Sequence, residues 1–271
     1  MPLATLVRHV ARLRAEVQQQ TTTGNPVLAL LREDPDRLMT TAGLTPDPWQ
    51  TELLRSSAKR LLLLCSRQSG KSTTAAALAL RDALLVPGSL VLLLSPTLRQ
   101  SGELFHKVTD LYHALGEPVA TAMASALRLE LVNGSRVVSL PGDEKTIRGY
   151  SGVALLIVDE AARVPDALYY SIRPMLAVSG GRLVVLSTPF GKRGFFFTEW
   201  EGSNSWHRTK VTAQDCPRIS RAFLEEEEQS IGPRWHRQEY GCSFEETVDA
   251  VFTYADIAAA LSDDVRPLLV G

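Results

Sequence analysis

The sequence predicts an α/β fold in which helices flank a central, mainly parallel sheet. Two stretches carry that expectation. Leu61–Leu80 reads LLLLCSRQSGKSTTAAALAL: an apolar run of strand length, a tight polar turn, then an alanine-rich helix opened by Lys71-Ser72. Val153–Val158 is a second apolar strand, and it delivers paired acids, Asp159-Glu160. Continuous apolar strands alternating with helical patterns suit a sheet covered on both faces.

The whole-chain numbers bound the rest. With 271 residues, 45% hydrophobic and 22% charged, the chain has the balance of a globular protein able to bury a core. The formal net charge is -1, so any DNA contact must come from a local patch. Cys65, Cys216 and Cys242 form no C-x-x-C, which argues for a reducing compartment and against a disulfide frame or zinc site. Apolar runs are strand-length, so no membrane span is expected. Arg8, Arg12, Arg14 and Glu16 interrupt the N-terminal apolar residues, unlike a secretory signal.

Taken in order, Leu3, Leu6, Val7, Val10, Leu13 and Val17 fall at helical spacing, and TTTGNP at 21–26 breaks it. A short helix is expected over Val27–Glu33. Another starts near Asp47 or Pro48, with Trp49 and Gln50 at its head. Gln50 carries a donor and an acceptor that suit the edge of an adenine, or simply water. After the Leu61–Leu80 unit come a strand at Leu90–Leu94 and a helix at Leu98–Leu115. Leu127–Val132 and Arg136–Leu140 flank Asn133-Gly134, a strong hairpin signal. Leu183–Leu186 is a strand ending in Ser187-Thr188-Pro189, on the ligand side of an open sheet. Trp206–Thr212 reads as a last strand, Ser220–Gln229 as a helix, Pro233 as the start of another, and Asp256–Leu261 as a short helix.

Strand, turn, Gly-Lys-Ser and helix are the setting of a phosphate-binding P-loop. The candidate nucleotide-binding stretch is Cys65, Ser66, Arg67, Gln68, Ser69, Gly70, Lys71, Ser72 and Thr73, with Trp49 and Gln50 upstream. Its backbone N–H groups and helix N-terminus would wrap phosphates. Lys71 would neutralise the β- and γ-phosphates, and the Ser72 hydroxyl would ligate Mg²⁺. Cys65 stands where the motif wants glycine, and Arg67 adds a second cation. Asp159 is the candidate second metal ligand and Glu160 the base for an attacking water.

The ordered set resembles the ATPase domain of the tailed-phage large terminase subunit, the motor that packages DNA into capsids. The matching residues are Trp49-Gln50, SRQSGKS at 66–72, TIRG at 146–149, LLIVDEA at 155–161, LSTP at 186–189, RQEYGCSF at 237–244 and VFTYADIAAAL at 251–261. The resemblance implies an additional-strand, RecA-like P-loop NTPase that uses ATP and Mg²⁺. The resemblance runs from about residue 44 to the C-terminus and implies an ATPase core over 44–210 and a lid with linker over 211–271, and the helical spacing before it makes 1–43 an N-terminal helical extension. The strand carrying Ser187-Thr188 would lie between the P-loop and Asp159 strands, with Thr188 facing the γ-phosphate. Arg148 would act as an arginine finger on a neighbour in a ring, an effect of about 10³–10⁵ in rate elsewhere, with Arg67 as its rival from within the site. Implied partners are double-stranded DNA, the portal protein, the small terminase subunit and further copies of the chain, in the host cytoplasm and transiently on the procapsid. The isolated chain is expected to be a monomer. Leu269-Val270-Gly271 resembles the first strand of the family's nuclease domain, so DNA cleavage is not expected.

Two other readings remain at this point. A superfamily helicase shares the Asp159-Glu160-Ala161-Ala162 box, but needs a second RecA-like domain that roughly 80 residues after Pro189 cannot build. A non-hydrolysing nucleotide-gated scaffold would not need Glu160.

Overall fold

A computed structural model of the chain describes residues 24–142, 149–246 and 259–260. The expected helix over 1–20, Arg148, and most of the 251–261 segment lie outside the described residues.

Eight strands form one sheet: β1 (Arg60–Cys65), β2 (Leu90–Ser95), β3 (Thr121–Ser125), β4 (Arg128–Leu131), β5 (Arg136–Pro141), β6 (Leu155–Val158), β7 (Arg182–Ser187) and β8 (His207–Val211). Their order is β3-β4-β5-β2-β6-β7-β1-β8. From β5 to β8 all neighbours are parallel, and β3 and β4 add an antiparallel edge. The strand ending in Ser187 therefore does sit between the P-loop strand β1 and the acid-bearing strand β6. The Asn133-Gly134 turn joins β4 to β5 as expected, Gly134 taking a left-handed φ of 83°. Strand β3 was not anticipated. Its five residues, Thr-Ala-Met-Ala-Ser, are all exposed, so no apolar alternation marks them.

The central strands are buried on both faces, and their side chains alternate accordingly. Leu61, Leu63, Val91, Leu93, Leu155, Ile157, Val184 and Leu186 share one core. Leu62, Leu64, Leu92, Leu94, Leu156, Val158, Leu183 and Val185 share the other. The first core is covered by α1 (Pro26–Glu33), α2 (Arg37–Thr41), α3 (Pro48–Arg55), α4 (Lys71–Leu85) and α5 (Leu98–Ala114). Helix α4 is enclosed on nearly every side. Ala75, Ala76, Ala77 and Ala79 let it lie close to the sheet, while Leu28, Leu31, Leu38 and Leu54 close over its outer face. The second face carries α6 (Asp166–Ile172) and α7 (Gly194–Glu201), with Tyr169 stacked on Phe195 at 3.9 Å between ring centres. Helix α8 (Arg221–Glu239) is two arms meeting at Gly232, whose φ of 80° breaks the helix just before Pro233. Pro233 opens the second arm, as its fixed φ and missing N–H favour.

Candidate active site

The parallel strands end together, and their C-terminal ends carry the site. Between β1 and α4 the loop turns through left-handed backbone at Gln68 (φ 59°) and Gly70 (φ 88°). A Cβ on Gly70 would lie 2.8 Å from the Gln50 amide nitrogen, so glycine is required there on two counts. The N–H groups of Gln68, Ser69 and Gly70 donate to no acceptor among the described residues. Those of Lys71, Ser72 and Thr73 are the unpaired donors that open any helix. Six donors thus converge with the positive end of α4, which makes an anion cradle.

The loop is held from both sides by the C-terminal part of the chain. Ser66 N–H donates to the Val211 carbonyl (2.8 Å) and Arg67 N–H to the Glu239 carbonyl (2.9 Å). The Arg67 guanidinium also donates to the Glu239 carboxylate at 2.5 Å. Arg218 makes a two-pronged contact with Asp47 (2.7 and 2.8 Å) and donates to the Ser69 carbonyl at 3.1 Å.

Across from the loop stand the acids. Ser72 Oγ donates to Asp159 Oδ2 at 2.9 Å, bringing together the two expected metal ligands. These hard oxygen donors fit Mg²⁺, which takes few protein ligands and keeps several waters. Burial raises the Asp159 carboxyl above its ordinary range, and neighbouring Glu160 pushes the same way. Such a carboxylate is short of positive charge, as a cation ligand should be. Glu160 itself occupies a left-handed conformation, φ 50°, which a β-carbon disfavours. Its carboxylate lies 3.1 Å from the Lys71 ammonium.

A cavity of about 850 Å³ opens over these groups. Arg67, Gln68, Gly70, Lys71, Ser72, Thr73, Glu160 and Thr188 line it, so most of the residues expected from the sequence do meet. Five of the expected nucleotide-contacting side chains do not line it. Cys65 is fully buried beneath the loop, where burial pushes its thiol up and keeps it neutral. Ser69 turns its hydroxyl back onto the Ser66 carbonyl at 2.9 Å. Trp49 packs against the core rather than the cavity. Gln50 has a different task from the base-edge contact expected of it. Its carbonyl accepts from Asp47 N–H (2.8 Å), and its amide donates to Thr74 Oγ1 (2.8 Å), so both ends are engaged. It braces the loop from below. Ser66 is buried too, its hydroxyl on the Arg67 carbonyl at 3.2 Å.

Other participants were missed. Glu239 lies inside RQEYGCSF, but nothing local marks it as a loop anchor. Arg218 and Arg163 belong to no motif. Arg163 lines the cavity from the short turn Ala161–Arg163 and stacks on Phe190, 4.1 Å from the ring centre.

Comparison with known proteins agrees with this architecture. A family model described as the N-terminal part of the T4likevirus-type terminase large subunit matches residues 62–259. The chain belongs to the terminase large subunit family. The large terminase subunit of Thermus phage G20c is 29% identical over 267 residues, covering 85% of this chain and 55% of that protein. The chain thus spans about half the length of the curated relatives it matches. Among solved structures, the large terminase ATPase domain of Thermus phage P74-26 superposes with a TM-score of 0.67 at 26% identity, covering 78% of this chain and 98% of that one. A large terminase from another thermophilic bacteriophage shares the fold at 16% identity, with a TM-score of 0.58 over 72% of this chain and 53% of that one. The fold of this terminase chain is therefore the RecA-like P-loop fold of those ATPase domains.

Proposed function

We propose that this chain hydrolyses ATP to drive double-stranded DNA into a viral procapsid, as the motor domain of a large terminase. The observation that carries the reading is the joint placement of Lys71, Ser72, Asp159 and Glu160 at the mouth of an anion cradle. The loop N–H groups bind the inner phosphates. Lys71 leaves Glu160 for the β- and γ-phosphate oxygens. Glu160, released, accepts a proton from the water that attacks the γ-phosphorus, while the bond from that phosphorus to the bridging β-phosphate oxygen breaks and its electrons leave with ADP. Ser72 and Asp159 would hold Mg²⁺, which would supply neutralisation of phosphate charge there. Thr188 faces the terminal phosphate and passes its loss to the Lys192-Arg193 loop. Residues 211–271 act as the lid through the Glu239 and Arg218 contacts to the loop.

Membership in the family supports the wider setting: double-stranded DNA as track, the portal protein and small terminase subunit as partners, and a ring of copies on the procapsid in the host cytoplasm. Arg148 is the finger offered to a neighbour. The deciding experiment is phosphate release by the purified chain with ATP and Mg²⁺, with and without double-stranded DNA. Slow turnover that Glu160→Gln abolishes supports the reading, and tight binding without any release favours the scaffold instead. Mixing Arg148→Ala with Glu160→Ala protein separates the two arginines, since a mixture that recovers no activity argues against action on a neighbour.

A further inference from the structure

Four cations line the cavity, and they are not equally committed. Lys71 is paired with Glu160, and Arg67 with Glu239. Lys107 and Arg163 have no carboxylate partner among the described residues. Lys107 stands ten residues into the helix capped by Thr97, roughly 15 Å of rise from that end. Arg163 is nearer the chemistry, for its N–H donates to the Glu160 carbonyl at 2.9 Å. Its side chain is exposed, and it rests on the Phe190 ring. That ring also carries Arg193, 5.2 Å from its centre.

We propose that Arg163 is a substrate-contacting residue that binds the terminal phosphate of the nucleotide in its own site, with the Phe190 face as its resting place. The inference rests on the reading of this site as one for ATP. The six loop donors claim the inner phosphates, so the group nearest Glu160 is the outermost, and Arg163 shares the Glu160 turn. A guanidinium over a ring is held less firmly than one forked onto a phosphate, so the exchange favours the nucleotide. Two like charges on one ring also ease the departure of one. Phe190 lies two residues after Thr188, so the departure is felt in the loop that follows β7.

The test measures dissociation constants, with Mg²⁺, for ADP and for a non-hydrolysable ATP analogue. Arg163→Ala is expected to weaken the analogue about tenfold while moving ADP less than about twofold, as loss of a hydrogen bond to a charged group does. Arg163→Lys recovers part of the difference. Phe190→Leu, which removes the competing face, is expected to tighten the analogue about threefold and leave ADP unchanged. If Arg163→Ala weakens both ligands equally, or neither, the assignment is overturned. Wild-type protein that binds neither ligand instead overturns the ATP reading beneath it.

Discussion

The Lys71 ammonium and the Glu160 carboxylate form an ion pair 3.1 Å across, between the loop and the acid-bearing strand. Burial works against the charged lysine, but Glu160 and Asp159 outweigh it and hold its pKa above the ordinary value. The proposed base and the proposed phosphate-binding cation thus neutralise one another, and on that proposal a phosphate that draws Lys71 away frees the base.

Glu160→Gln should therefore lower kcat by at least about 10²-fold, the scale of losing a general base. Nucleotide affinity should hold or improve, because Lys71 no longer has a carboxylate to leave. Lys71→Ala should lose binding itself. Paired phosphate-release and binding titrations decide this, and a Gln variant that turns over at the wild-type rate would rule out Glu160 as the base.

Asp159 buries a negative charge beside another acid. Asp159→Asn should leave the nucleotide-free protein at least as resistant to heat as the wild type, while removing the dependence of nucleotide binding on Mg²⁺. Melting curves without Mg²⁺ check the first half. A clear drop in Tm would mean that the Ser72 and Lys71 contacts already repay the burial.

Arg218→Ala should cost about 1–3 kcal/mol, since Asp47 is only 6% exposed and would lose both prongs of its partner. Urea unfolding reads this. Nucleotide affinity should fall as well, because the Ser69 carbonyl is set free. Glu239→Gln should change stability by under about 1 kcal/mol, because Arg67 is largely solvated, and should alter turnover instead.

Gln50→Ala should destabilise the chain by about 1–2 kcal/mol, through the lost bonds to Asp47 and Thr74, and leave the ratio of ATP to GTP affinity unchanged. Collapse of that ratio would restore the base-edge role.

Glu199 supplies a dependence on pH. It accepts hydrogen bonds from Tyr169 (3.1 Å), Asn204 (2.9 Å) and Trp206 (2.7 Å). Burial opposes its charge, but these donors and Arg173 prevail and set its pKa below the ordinary glutamate value of 4.5. The folded state then binds its proton less readily than the unfolded one. Its contribution is complete above the ordinary value and is lost as the pH falls through the lower folded one. Stability of Glu199→Gln should fall less steeply than that of the wild type over that acidic window. Parallel curves would sink the idea.

Elements whose signals are local were legible in the chain alone. A run such as Leu61–Cys65 must be a strand buried on both sides. Asn133-Gly134 must turn, and a Gly-Lys-Ser that opens a helix after a strand must leave its N–H groups without partners in that helix. Even the position of β7 between β1 and β6, expected from family resemblance, is what the sheet shows. Strand β3 was illegible because its exposed residues follow no pattern.

Who holds the loop is settled by packing between distant parts of the chain. Arg67 meets Glu239 across 172 positions, and Arg218 meets Asp47 across 171. No spacing rule reaches that far, and a lone Arg or Glu on a surface segment looks the same whether it is solvated or bound. Gln50 fell on the wrong side of that line, because whether its amide faces a base or the underside of a loop is settled by how α3 packs beneath α4. Arg163 became visible only when Phe190, twenty-seven residues later in the chain, was found beneath its guanidinium.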